Sequence, residues 1–131
     1  MARNGQAAAA RRLCEPAVAA LVPMGDRFAT SEARMCLAEI LLAGGDPAGA
    51  GDESSKVIES AVGTQNRETE WRAWALRAHA LQRRDGEAAR QAAQKARQTL
   101  ERLQWDPKNL DSYSARPDIQ VLQRTIQEAS R

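Results

Sequence analysis

The stretch AGGDPAGAG, Ala43 to Gly51, interrupts an otherwise helical pattern and most constrains what this chain can fold into. Before it, TSEARMCLAEILLAG places Ala33, Leu37, Ile40 and Leu41 on one helical stripe and Met35 with Leu42 on a second, the pattern of a helix buried on more than one side. Gly44-Gly45 is a left-handed exit from that helix. Asp46 can then cap the next helix through its side-chain oxygen, and Pro47 suits a first turn whose N–H groups have no intrahelical partner. A stop signal and a start signal placed back to back make an αα-hairpin. Its second helix is expected from Pro47 to Val62, ending at Gly63, with Ala50, Val57, Ile58 and Ala61 facing inward. Gly49 and Gly51 weaken its first turns by about 1 kcal/mol each relative to Ala, and are expected to admit close packing of a neighbouring helix.

The same design recurs. EWRAWALRAHALQRRDGEAARQAAQKARQTLERL reads as a helix to about Arg83, a turn at Arg84-Asp85-Gly86 and a second helix to about Leu103. Laying Asp85 on Asp46 superimposes Leu76 on Leu37, Leu81 on Leu42, Trp74 on Met35 and Ala89 on Ala50, a two-copy internal repeat. The apolar residues are mostly Ala and Leu, with three Trp, one Phe and one Tyr, which favours helix over strand. At 131 residues the expectation is a single all-α domain, 1–131, of about six helices stacked as antiparallel hairpins.

These residues resemble the tetratricopeptide repeat, in particular the long-period variants of bacterial regulatory proteins, as the C-terminal end of an array. The resemblance rests on Leu37-Ala38, Gly45-Asp46, Ala50 and Val57 in the first copy, and on Leu76, Asp85, Ala89, Ala93 and Ala96 in the second. Val57 stands where Ala is usual, Arg77 in place of a small residue and Arg84 in place of a turn Gly. Extended to both ends it covers about Ala7 to Ala129 and divides the chain into a partial repeat (7–27), a first hairpin (28–65), a second hairpin (66–103) and a closing segment with a helix (104–131). Pro16 either kinks the partial repeat or begins a new helix. Pro117 starts the closing helix, whose Ile119, Leu122 and Ile126 turn inward to cover the last hairpin.

Charge and composition exclude several functions. Nineteen basic and seventeen acidic side chains give a net charge of +2, too little to create a strong field for nucleic acid or an anionic membrane. Arg67, Arg72, Arg77, Arg83, Arg84 and Arg90 are spread over several helical faces with acids between them, so nucleic-acid binding is disfavoured. No apolar run approaches the ~20 residues of a membrane span, and no secretory leader is recognisable, which makes the expected location cytoplasmic. Cys14 and Cys36 have no metal-ligand spacing and are expected as buried or half-buried thiols. The glycine-rich AGGDPAGAG lacks the Lys and Ser or Thr of a phosphate loop. His79, the only imidazole, has no carboxylate at helical spacing before it. The chain is therefore expected to be no enzyme, with no catalytic, cofactor-binding or metal residues.

What remains is a surface for another protein. Trp71, Trp74, Ala78 and Leu81 follow one another at spacings of three, four and three and form one helical stripe. The resemblance implies a partner-binding groove lined by Glu32, Met35, Glu39, Trp71, Trp74 and Ala78. Aromatic and Met side chains flanked by carboxylates suit a protein or peptide segment with apolar anchors and one or two basic residues. The spacing alone leaves Trp71 and Trp74 divided between groove and core. The alternative reading is a structural, self-associating C-terminal fragment of a larger regulator, forming a homodimer.

Overall fold

A computed structural model describes the backbone of residues 2–131 and the side chains of residues 12–131. Its elements are α1 (Ala2–Met24), α2 (Arg27–Ala43), α3 (Pro47–Gly63), α4 (Arg67–Leu81), α5 (Gly86–Glu101), α6 (Pro107–Ser114) and α7 (Pro117–Ala129), with no strand among the described residues. The all-α class expected from composition is what forms. The additional helix relative to the expected six is α6, a short polar segment within the closing region.

From α2 to α6 the helix starts recur every 19 to 21 residues, each with an Asp or Asn cap, whereas α7 follows α6 closely and begins at Arg116-Pro117 without a side-chain cap. The carboxylates of Asp26, Asp46, Asp85 and Asp106 accept from the backbone N–H groups of Ala29, Gly49, Ala88 and Lys108, and the Asn66 side chain accepts from Thr69. The Gly44–Pro47 break closes as a full Schellman motif: Asp46 N–H donates to Leu41 C=O at 2.7 Å and Gly45 N–H to Leu42 C=O at 3.2 Å, with Gly45 at φ +85°. The end of α3 has the same hydrogen bonds, Asn66 to Ala61 and Gln65 to Val62, but its left-handed residue is Gln65 at φ +56° rather than a glycine. α4 stops at Leu81, slightly before the expected Arg83, because this turn has no left-handed residue and closes instead through Arg84 and Asp85 N–H groups onto Leu81 C=O. α1 runs without interruption through Pro16 and Pro23, so no new helix begins at Pro16.

The glycines of α3 act differently from expectation. A Cβ at Gly49 would lie 2.6 Å from an Asp46 carboxylate oxygen and 3.2 Å from Leu41, so this glycine makes room for the capping side chain of its own helix. At Gly51 a Cβ would meet only the Ala80 methyl at 4.0 Å, an ordinary contact.

Consecutive helices from α1 to α5 pack against each other, and two layers result. On one side α2 touches α4 and α4 touches α7; on the other, α1, α3 and α5 do not touch among the described residues. Helices that meet in one layer and part in the other curve the stack, with α2, α4 and α7 on the inside. α7 rests on α4 and α5 as α4 rests on α2 and α3, so it takes the place of a third hairpin's first helix. The core is built largely from methyl groups, which let helix axes approach closely. One cluster joins Cys14, Met35, Leu37, Leu41, Val57 and Leu76 with alanines of α2 to α4; the other joins Trp71, Tyr113, Ile119 and Ile126 with alanines of α4, α5 and α7. Trp74 and Leu122 touch both. Ala50, Val57, Ile58 and Ala61 are buried as their spacing predicts, as are Ile119 and Ile126, with Leu122 half-buried.

Candidate functional site

The six residues expected to line a groove all lie on α2 and α4, the inner layer, but they do not present one open stripe. Met35, Trp71 and Ala78 are buried, Trp71 at 0% exposure. Their burial corrects the expectation of an open aromatic groove: Trp71 and Ala78 share a cluster with Ile119 and Ile126 of α7, which lies along this face, while Met35 faces the core of the first hairpin. Glu32 and Trp74 are half-buried and Glu39 is exposed.

A polar chain explains why Trp71 is held inside. Its indole N–H donates to the Tyr113 hydroxyl at 3.1 Å, with the rings edge to face and their centroids 6.3 Å apart. The Tyr113 hydroxyl in turn donates to the Glu68 carboxylate. Arg72 donates to Glu68 at 3.0 Å and to Glu32 across the inner layer. The chain therefore runs from α6 through α4 to α2, and it gives the buried Trp71 N–H and the Tyr113 hydroxyl their partners. Burial, and then the bond to Glu68, push the Tyr113 hydroxyl well above the ordinary phenol range. Burial works against the Arg72 charge, but its bonds with Glu32 and Glu68 prevail and raise its pKa. Trp74 makes a separate bond within its helix, its N–H donating to Glu70 at 3.1 Å.

Beyond these residues the inner face stays open. A recess of about 580 Å³ lies between α2, α4 and α7, lined by Glu39, Leu42, Ala43, Leu76, His79, Val121 and Leu122, with Arg72, Asp118 and Thr125 at its sides. Leu42, Leu76 and Leu122 supply apolar surface, and Val121 is 53% exposed beside them. Glu39 makes no hydrogen bond or ion pair with another described side chain. Burial raises its pKa, and Asp118 and Glu32 add to that against the opposing pull of Arg72. Asp118 differs, being held below the usual carboxylate range by its hydrogen bond from Arg116. A second recess, of about 440 Å³, lies between the α1–α2 turn and α3, where Asp26, Arg27, Arg34, Lys56 and Glu59 give it a mixed-charge lining.

Of the expected groove residues, Glu39 alone lines the α2–α4–α7 recess. Sequence reasoning missed Leu42, His79, Val121, Leu122 and Thr125 as its walls. The signal for Leu122 was present in the apolar stripe of α7, whose docking place was not. Among the described residues no group of three or more His, Cys, Asp or Glu is arranged to hold a metal ion. No described helix is long and apolar enough to cross a membrane. Comparison of the chain with protein-family models, with curated proteins and with solved structures finds no match.

Proposed function

We propose that this chain is a non-catalytic protein-interaction module, a tetratricopeptide-like stack of the bacterial regulatory kind. In this reading it is cytoplasmic and receives a peptide segment of a partner protein in the recess between α2, α4 and α7. The supporting observation is Glu39, a carboxylate without a direct partner beside the aliphatic surface of Leu42, Leu76, Val121 and Leu122, in a recess that Arg72, His79, Asp118 and Thr125 also line. Such a site favours a segment that places an aliphatic anchor on the leucines and an Arg or Lys against Glu39, where a charge-assisted hydrogen bond adds to the apolar contact.

The test uses fluorescein-labelled amphipathic peptides in which a Leu or Ile anchor is followed by Arg or Lys, beside the same peptides with Glu in place of the base. Anisotropy should show binding of the basic series only, weakened about tenfold by Glu39→Gln, the equivalent of one charge-assisted bond. Equal binding of both series, or no effect of Glu39→Gln, contradicts the reading.

A second reading has its own observation. Leu13, Val22 and Met24 of α1 and Phe28 of α2 are exposed, two of them to three-quarters of their surface. Apolar side chains concentrated at one end of a stack favour self-association through that end. Sedimentation velocity separates the readings: a dimer dispersed by Met24→Lys with Phe28→Lys supports self-association, and a monomer at all concentrations refutes it.

A further inference from the structure

The two cysteines stand 22 residues apart in sequence, yet the packing of α1 on α2 brings their sulfur atoms to 2.6 Å. A disulfide bond measures ~2.05 Å, so the remaining gap is about half an ångström, well inside the distance at which two separate thiols rest. The pair is asymmetric. Cys14 is buried within the first core cluster, whereas Cys36 is exposed to solvent. Burial, then the hydrogen bond and charge of Cys36 and the charge of Glu39, raise the Cys14 thiol to about 11. Cys14 is thus protonated at neutral pH, and the accessible Cys36 is the sulfur that an oxidant reaches first.

We propose that Cys14 and Cys36 form a reversible disulfide that fastens α1 to α2, with a peroxide as the oxidant. The inference rests on the α1–α2 packing and is independent of the peptide-binding reading. The Cys36 thiolate attacks one peroxide oxygen, breaking the O–O bond and forming a sulfenic acid; the released hydroxide takes up a proton and becomes water. The Cys14 sulfur then attacks the sulfenic sulfur. The S–S bond forms, the S–O bond breaks, and the departing hydroxide leaves as water with the Cys14 proton. Two thiols together lose two electrons, and one peroxide is reduced to two waters. A dithiol reverses the process by two successive exchange steps.

The bond would matter because α1 carries two internal prolines and, among the described residues, packs on no helix but α2. A cross-link closing the intervening segment restricts the unfolded chain, and the expected rise in melting temperature for a domain of this size is about 10 °C.

The experiment takes the full chain, reduced and desalted, and adds one equivalent of hydrogen peroxide. Intact mass and non-reducing peptide mapping should show a monomer lighter by about 2 Da, carrying a Cys14–Cys36 linked peptide, with its melting temperature raised and restored by dithiothreitol. Because Cys36 is exposed, Cys36→Ala should retain the helical circular dichroism of the parent and show neither mass loss nor thermal shift. Oxygen addition at either sulfur, or intermolecular dimers, in place of the linked peptide overturns the proposal. A linked chain whose melting temperature does not rise overturns the fastening of α1.

Discussion

Replacing Trp71 by Ala is the perturbation with the largest consequence. The side chain leaves α4 fully buried in the cluster it shares with α5, α6 and α7, and large-to-small changes at such sites cost about 3–5 kcal/mol through lost burial and the cavity left behind. The edge-to-face pair with Tyr113 disappears as well, a loss of about 0.5–1.5 kcal/mol, while the Tyr113 hydroxyl keeps its bond to Glu68 and leaves no buried donor unsatisfied. The expected cost is therefore about 3.5–6.5 kcal/mol, roughly a quarter or more of the ~5–15 kcal/mol that holds an ordinary domain together. Urea denaturation followed by far-ultraviolet circular dichroism measures it, with Trp74→Ala as the internal comparison. Trp74 is half-buried and bonded only within its own helix, so its removal should cost about 1–2 kcal/mol. A double-mutant cycle with Tyr113→Phe should return a coupling of about 1 kcal/mol between Trp71 and Tyr113. A cost below about 1 kcal/mol for Trp71→Ala would mean that α6 and α7 do not seat against α4, and would return Trp71 to the open groove.

The other predictions are smaller. Gln65→Gly should stabilise the fold by about 1 kcal/mol in the same denaturation assay, because a left-handed residue other than glycine carries a steric cost of about 1–2 kcal/mol that only part of glycine's extra unfolded-state entropy offsets. Glu39→Gln should raise the melting temperature at pH 7 and leave it unchanged well below pH 4.5. The folded pKa of Glu39 is raised, so its protonated form stabilises the native state below the unfolded value, and that contribution is lost as pH rises through the folded value. Basic amphipathic peptides should bind where acidic ones do not, and peroxide should link Cys14 to Cys36, as measured by anisotropy and by peptide mapping.

The helical layout was legible because its punctuation is local. Gly45, Asp46 and Pro47 each have a conformational preference expressed within one turn, and the structure uses them as their chemistry dictates. Gln65 gave no such signal: nothing in a glutamine side chain favours φ +56°, and only the closure of α3 onto α4 holds it there. α6 escaped notice because eight mostly polar residues have no apolar stripe to count. The candidate site was less legible than the fold. Trp71 and Trp74 share one helical stripe, and which of them is sealed depends on where α7 docks, a contact made with a segment more than 40 residues away. The meeting of Cys14 with Cys36 likewise depends on how α1 and α2 are rotated against each other, which spacing within either helix does not encode.

The central claim is that a partner segment enters the inner face between α2, α4 and α7. Methyl nuclear magnetic resonance during titration with a basic amphipathic peptide tests it most directly, since the recess has Leu42, Leu76, Val121 and Leu122 as reporters and the far end of the stack has Leu13 and Val22. The account predicts shifts confined to the first group, with Glu39→Gln raising the peptide concentration they require about tenfold. Shifts at Leu13 and Val22, with the recess methyl groups unmoved, would contradict it.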